Sequence, residues 1–332
     1  MTSATTPLST VSLDDIRQAQ SRLRGIAVHT PLLESHLHEP DPLRRKLYLK
    51  PENLQPIGAF KLRGAYNKIA SLSDQERRRG VISYSSGNHA QGVAYAARAL
   101  STKAIIVMPG NAPAIKREAT AALGAEIVLV GPASDERMIK AQELAAQHGY
   151  AIVPPYNDEM IIAGQGTIGL EILADLPEVE AVLAPVGGGG MISGIATAIK
   201  LSQPRVKVIG VEPAVAADAQ ASLRAGKIVR IAAEQVSQTS ADGLRTQSIG
   251  EINFEHIRRY VDDIVTVRED EIAETMRRLA EDPKTVAEPS GAVAVAAFLF
   301  HSGELPKVRL SVAVISGGNI DPEALQALRA RA

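Results

Sequence analysis

Ala181-Val182-Leu183-Ala184-Pro185-Val186-Gly187-Gly188-Gly189-Gly190-Met191 reads as a short apolar strand that breaks into glycines and reopens as a helix running through Ala198. The strand has no polar alternation. A strand apolar on both faces belongs to a parallel sheet covered by helices on both sides. Four consecutive glycines let the backbone pass close to an anion, with N–H groups and the dipole of the next helix aimed at it. A tight strand–helix turn needs only one glycine, and each further one costs conformational entropy on folding. The spacing differs from the dinucleotide pattern Gly-x-Gly-x-x-Gly with an acidic strand end, so one phosphate fits better than a pyrophosphate.

The same grammar extends outward in both directions. Upstream, Val81–Ser85, Ala104–Met108, Glu126–Val130 and Ala151–Val153 read as strands. Between them lie helical stretches at Gly87–Leu100, Ile115–Leu123 and about Asp135–Gln147. Downstream, Val206–Val211 reads as a strand ending at Glu212, Asp270–Leu279 and Ala292–Phe300 as helices, and Leu310–Ile315 as the last strand. Ser12 caps a first helix whose opening turn carries Asp14 and Asp15, and residues 1–12 read as a frayed Ser/Thr-rich end. Strand–helix alternation throughout predicts an α/β fold with doubly wound, mostly parallel sheets. A length of 332 residues suits two domains rather than one core. No internal repeat or low-complexity linker interrupts it.

Composition narrows the function. The net charge of −1 gives no global field toward nucleic acid or an acidic membrane, and aromatics make up only 3%, too few for a base-stacking platform. The absence of cysteine excludes disulfides, thiolate catalysis and cysteine–zinc sites. No basic start followed by an apolar run opens the chain, and no apolar run could span a bilayer, so a cytoplasmic location without membrane or nucleic-acid partners is expected.

Three further segments carry chemistry. In Gly58-Ala59-Phe60-Lys61-Leu62-Arg63-Gly64, a lysine sits between apolar neighbours. It is either a surface residue or an amine whose pKa is lowered by desolvation, as carbonyl chemistry requires. Ser85-Ser86-Gly87-Asn88-His89-Ala90-Gln91 lies at a strand-to-helix junction. It is either a helix cap or a carboxylate site made of free N–H groups and hydroxyls. Ser316-Gly317-Gly318-Asn319 follows the last strand directly. Ligands of open α/β sheets bind outside the carboxyl ends of the strands, and three strand ends here combine Gly with Ser or Asn or open into a glycine run.

Taken together these segments resemble the threonine dehydratase and serine racemase group of fold-type II pyridoxal-phosphate enzymes. Gly164-Gln165-Gly166-Thr167, Ala241-Asp242-Gly243 and Glu288-Pro289-Ser290-Gly291 complete the family's order across nearly the whole chain. The resemblance implies a smaller, mobile domain over residues 53–154 that closes on the substrate. It implies a larger pyridoxal-phosphate-binding domain over 1–52 and 155–332, no C-terminal regulatory domain, and a homodimer. Lys61 would carry the cofactor covalently and then act as base at Cα of an amino-acid substrate. Phe60 would pack by the cofactor ring, Asn88 would bond the ring hydroxyl, and Ser316 would face the pyridine nitrogen. The N–H groups of Gly187, Gly188, Gly189, Gly190 and Met191 would hold the phosphate. Ser85, Ser86, Gly87, Asn88 and His89 would take the substrate carboxylate, and Arg137 a second one if the substrate is acidic.

Two details refine the implied activity. Many threonine dehydratases have Ala where this chain has Ser86, whereas serine racemases and 3-hydroxyaspartate dehydratases have Ser there. In those enzymes the hydroxyl exchanges a proton on the face opposite the lysine. Glu212, Ala216 and Asp218 match the spacing of a racemase-like divalent cation site, and their all-oxygen chemistry suits Mg²⁺ or Ca²⁺. The expected function is a dehydratase converting a serine-, threonine- or 3-hydroxyaspartate-type β-hydroxy amino acid to a 2-oxo acid and ammonia. The alternatives are an amino-acid racemase with eliminating side-activity, a non-catalytic sensor that kept the fold, and a nucleotide-binding Rossmann protein.

Overall fold

The computed structural model describes residues 10–37, 45–112, 114–131 and 134–330. Most of the N-terminal stretch expected to fray, residues 1–9, lies outside them. Ten strands run in the order β1 (Leu33–Ser35), β2 (Lys46–Pro51), β3 (Val81–Tyr84), β4 (Ala104–Pro109), β5 (Glu126–Val130), β6 (Ala151–Ile152), β7 (Ala181–Pro185), β8 (Lys207–Pro213), β9 (Asp263–Val267) and β10 (Leu310–Ile315). They form a four-stranded sheet ordered β5-β4-β3-β6 and a six-stranded sheet ordered β1-β2-β10-β7-β8-β9. The smaller is parallel throughout. The larger is parallel except for the β1 edge.

Side-chain alternation sends each strand's residues to two helical layers. On β4, Ala104, Ile106 and Met108 pack with Ala90, Val93 and Ala97 of the helix Asn88–Ala99. Ile105 and Val107 face Ala141 and Leu144 of the helix Ser134–His148 on the other side. In the larger sheet, Val182, Val208, Ile264 and Val312 meet the helices Glu159–Asp175, Gly190–Ser202 and Glu251–Tyr260. Leu183, Ile209, Val265 and Ala313 meet Glu269–Leu279 and Pro289–Phe300. Both sheets are therefore doubly wound, as the apolar strands imply. Ser12 does cap the first helix, Leu13–Arg22, in a reciprocal box with Asp15.

The sequence reading left out β1, β2, β9 and the helix Glu159–Asp175. That helix is buried on every side, so it has no polar face to give it a period. It crosses the helix Lys61–Ala70 so closely that a Cβ on Gly164 would lie 2.7 Å from the Arg63 carbonyl oxygen. A buried ion network pins the same junction. Arg63 bonds Glu52 through Nε and Nη2 at 2.7 and 2.8 Å, and Glu171 through Nη1 and Nη2 at 2.6 and 2.9 Å. Lys50 Nζ donates to Glu171 at 2.7 Å and to the Thr30 carbonyl at 2.6 Å.

Candidate active site

The carboxyl ends of β3, β7 and β10 and the start of the helix Lys61–Ala70 bring the predicted segments together. The Phe60 N–H donates to the Ser316 carbonyl at 3.0 Å, the Gly318 N–H to the Gly58 carbonyl at 3.0 Å, and Ala59 bridges to Gly317. The lysine segment and the last strand end are thus stitched to each other.

Lys61 opens its helix. Part of its side chain faces open space, but the amine is densely surrounded by protein, and burial lowers its pKa to about 8. Nζ donates to the Pro155 carbonyl at 2.8 Å and lies 5.1 Å from the Phe60 ring centroid. No carboxylate pairs with it in the hydrogen bonds of the described residues. The enclosed amine fits the desolvated alternative better than the surface one, and without a carboxylate partner nothing opposes the lowering by burial.

The glycine run leaves β7 and enters Gly190–Ser202 through Gly189, whose φ of +92° lies in the left-handed region that favours glycine. No side chain caps this helix, so its first N–H groups are open to an anion. The Tyr156 ring lies directly on the loop, and a Cβ on Gly188 would sit 2.2 Å from Tyr156 Cδ1. Burial, with Tyr84 and Asp218 nearby, pushes the Tyr156 phenol up to about 12, so it stays protonated. Met191 contributes only its backbone to the loop, since its side chain is buried in the core.

Ser85, Ser86 and Gly87 form the bend between β3 and the helix Asn88–Ala99, and no side chain caps that helix either. The His89 side chain is turned inward. Its Nε2 lies 3.0 Å from the Val153 carbonyl, which can only accept, so Nε2 carries the proton and Nδ1 is left as a buried lone pair without a partner. Burial and the Lys61 charge lower its pKa to about 3, against the bond to Val153. Any contact of His89 with a substrate carboxylate therefore falls to its main-chain N–H. Ser316 is buried, and its hydroxyl donates to the Ser290 carbonyl at 3.2 Å. Arg137 sits in the first turn of Ser134–His148, across the small sheet from Asn88, and burial holds its guanidinium below its ordinary range.

Glu212 and Asp218 are both fully buried at the end of β8 and the start of the helix Asp218–Ala225, with Ala216 in the short turn between them. Glu212 accepts the N–H groups of Ala219 and Gln220 at 2.9 and 2.8 Å. Neither Asp218 oxygen has a hydrogen bond of full geometry, although the N–H groups of Asp218 and Ile249 and the Thr246 hydroxyl lie near enough to ease its charge. Burial raises Asp218 to about 7, and burial with the Asp218 charge raises Glu212 well above its usual range. Among the described residues no three His, Cys, Asp or Glu side chains gather around one point. A cation here would draw on two carboxylates, main-chain oxygen and water.

Sequence reasoning did not single out Tyr156, Asn319 or Glu288 as site residues. Only the last two carried a signal, each within a Gly/Ser segment at a strand end or a helix start.

The family model described as pyridoxal-phosphate dependent enzyme matches residues 24–317. The chain is 47% identical to the L-threonine ammonia-lyase of Thermotoga maritima, across 94% of this chain and 76% of that one. It is 43% identical to the L-threo-3-hydroxyaspartate ammonia-lyase of Saccharomyces cerevisiae, across 92% and 93%. The structure of maize serine racemase superposes with a TM-score of 0.90 at 35% identity, covering 97% of this chain and 98% of that one.

Proposed function

Because the chain belongs to the pyridoxal-phosphate dependent enzyme family, we propose that it is a hydroxy-amino-acid ammonia-lyase, acting on a β-hydroxy amino acid of the serine, threonine or 3-hydroxyaspartate type. The observation that carries this reading is the enclosed Lys61 amine, lowered to about 8 and facing the strand ends beside the open glycine loop.

The residues present fit the cofactor. The loop offers uncapped N–H groups for one phosphate, Lys61 an amine for one carbonyl, and Ser316 a neutral hydroxyl rather than an acid for a ring nitrogen. Pyridoxal phosphate, when bound, supplies the electron sink that lets a Cα–H bond ionise. The chain's own residues do the rest. Lys61, neutral in part near its pKa of about 8, takes the Cα proton. The uncapped start of Asn88–Ala99, with Ser85 and Ser86, binds the carboxylate and sets which bond faces Lys61. Overall, the Cα–H and Cβ–O bonds break and hydroxide leaves with a proton as water; the freed enamine takes a proton at Cβ, and a water then hydrolyses its Cα–N bond, yielding a 2-oxo acid and ammonia. Closure of residues 53–154 over the cleft would exclude water. The Lys116–Asp242 ion pair at 2.6 Å supports this, since it joins the helix Ala114–Ala122 beside the small sheet to the turn Asp242–Leu244 beside the glycine loop.

Release of 2-oxo acid from L- and D-serine, threonine and 3-hydroxyaspartate tests the reading. Turnover of at least one supports it, and no turnover by cofactor-loaded protein removes it. Ser86 keeps racemisation as the second reading, and chiral analysis of the recovered substrate separates the two. Activity on hydroxyaspartate that is lost in Arg137→Ala, with threonine turnover kept, would assign the second carboxylate contact.

Gly188→Ala is expected to displace the Tyr156 ring and raise the Kd for the cofactor about tenfold or more, the cost of overpacking by ~1.4 kcal/mol. Equilibrium dialysis with pyridoxal phosphate checks it. We also assign a divalent cation to Glu212, the Ala216 carbonyl and Asp218. Mg²⁺ or Ca²⁺ at a hundredfold excess over Kd is expected to stabilise the fold by about 2.7 kcal/mol. Asp218→Asn should abolish that gain. Identical melting curves with and without the ion would remove the site.

A further inference from the structure

Glu288 lies at the N-cap of the helix Pro289–Phe300, a position from which an acidic side chain ordinarily bonds the free N–H groups of the first turn. It does not do so. The residue is buried, and its carboxyl turns away from its own helix to accept the Asn88 Nδ2–H at 2.6 Å. Gly317 leaves the space, since a Cβ there would lie 2.3 Å from Glu288 Oε1 and 3.1 Å from Asn88 Nδ2.

The carboxamide of Asn88 has one acceptor oxygen and two N–H donors. The oxygen accepts from Asn319 Nδ2 at 2.8 Å, and Asn319 is itself fixed by donating to the Ile57 carbonyl at 2.9 Å. One N–H goes to Glu288. Rotating the amide by half a turn would set two donors against each other at Asn319 whatever the charge of Glu288, and two acceptors against each other at Glu288 when it is ionised. The orientation is therefore determined, and one N–H of Asn88 remains uncommitted.

We propose that Glu288 is a positioning residue of this site, which with Asn319 locks the Asn88 carboxamide so that its one free N–H is presented to the cofactor ring. The inference rests on the functional reading above, in which Asn88 meets the ring oxygen. The groups facing the carboxyl also let it change charge in the neutral range. Burial raises it to about 7, the Asp242 charge adds to this, and the Asn88 bond and the Lys116 charge oppose it. A Glu288 that ionises beside the ring as pH rises through that range would leave a spectral mark on the bound cofactor.

The test uses holoenzyme of wild type, Glu288→Gln and Glu288→Ala. It reads visible absorbance of the bound cofactor and kcat from pH 6 to 9, and cofactor Kd by dialysis. Glutamine keeps an acceptor oxygen for Asn88 but cannot ionise. Glu288→Gln should therefore hold cofactor affinity and kcat within a few-fold while losing the wild-type absorbance inflection near pH 7. Glu288→Ala frees the amide and should lower kcat by about 10²-fold, the scale of a small misplacement at a reacting centre, with a shifted absorbance band at every pH. A wild-type inflection retained in Glu288→Gln would overturn the proposal, as would unchanged absorbance and kcat in Glu288→Ala. If the alanine variant fails to fold, the glutamine variant still decides. Wild-type protein that acquires no visible absorbance with pyridoxal phosphate would instead overturn the functional reading on which this rests.

Discussion

Lys61→Ala is expected to lower 2-oxo acid release by about 10⁴-fold or more, because this one side chain is proposed both to carry the cofactor and to move the Cα proton. The fold should survive. Lys61 makes one hydrogen bond, to the Pro155 carbonyl, and its lowered pKa means that the folded protein disfavours the ammonium. A lysine whose folded pKa lies below its unfolded value costs stability at every pH under the unfolded value. Alanine removes that cost. The variant without cofactor should therefore melt no lower than wild type at pH 7, while activity collapses and covalent retention of pyridoxal phosphate through gel filtration is lost. Loss of activity together with a large fall in Tm would make the lysine structural. Residual activity within tenfold of wild type would transfer the chemistry to another group.

The architecture was readable where burial leaves a pattern. Strands such as Val182-Leu183-Ala184 and Ile105-Ile106-Val107 are apolar on both faces because each face meets a helix layer, and that signature survives in one dimension. Short edge strands have no such run. β1 is three residues long, and β9 opens on exposed Asp263. At the site, the loop proposed to hold an anion through its backbone announced itself as glycines. Residues that act by holding another side chain did not, because Glu288 gains its meaning only when β10, the helix start at Asn88 and its own N-cap converge. His89 was readable as a polar residue at a helix start, but its direction was not. The packing of its ring against Val153 depends on β6 lying beside β3.

The buried network around Arg63 carries the largest expected effect on stability. Arg63→Met should cost about 3–5 kcal/mol, the range found when one partner of a buried ion pair is removed. Methionine keeps most of the volume, so the loss is electrostatic rather than a cavity. Without Arg63, the two carboxylates of Glu52 and Glu171 share only the charge of Lys50. The pH dependence should change sign with it. Burial by itself raises Glu52, but the charge and hydrogen bonds of Arg63, with Lys50 and Thr30, overcome burial and hold it below its ordinary value. In wild type its contribution is present above the unfolded carboxylate pKa and is lost as pH falls through the folded one. In the variant, burial dominates, the folded pKa rises, and stability is lost as pH rises above the unfolded value. Urea unfolding at pH 4.5 and 7.5 should therefore show a smaller gap between the two proteins in acid. A gap that is equal at both pH values, or below about 1 kcal/mol at pH 7.5, would mean that the network is balanced elsewhere. The consequence reaches catalysis through geometry. Arg63 stands two residues beyond Lys61 on one helix, and it ties that helix to Glu52 after β2 and to Glu171 of the buried crossing helix. A helix start released from those anchors can no longer hold its amine against the Pro155 carbonyl, so the folded fraction of Arg63→Met should also show a lower kcat.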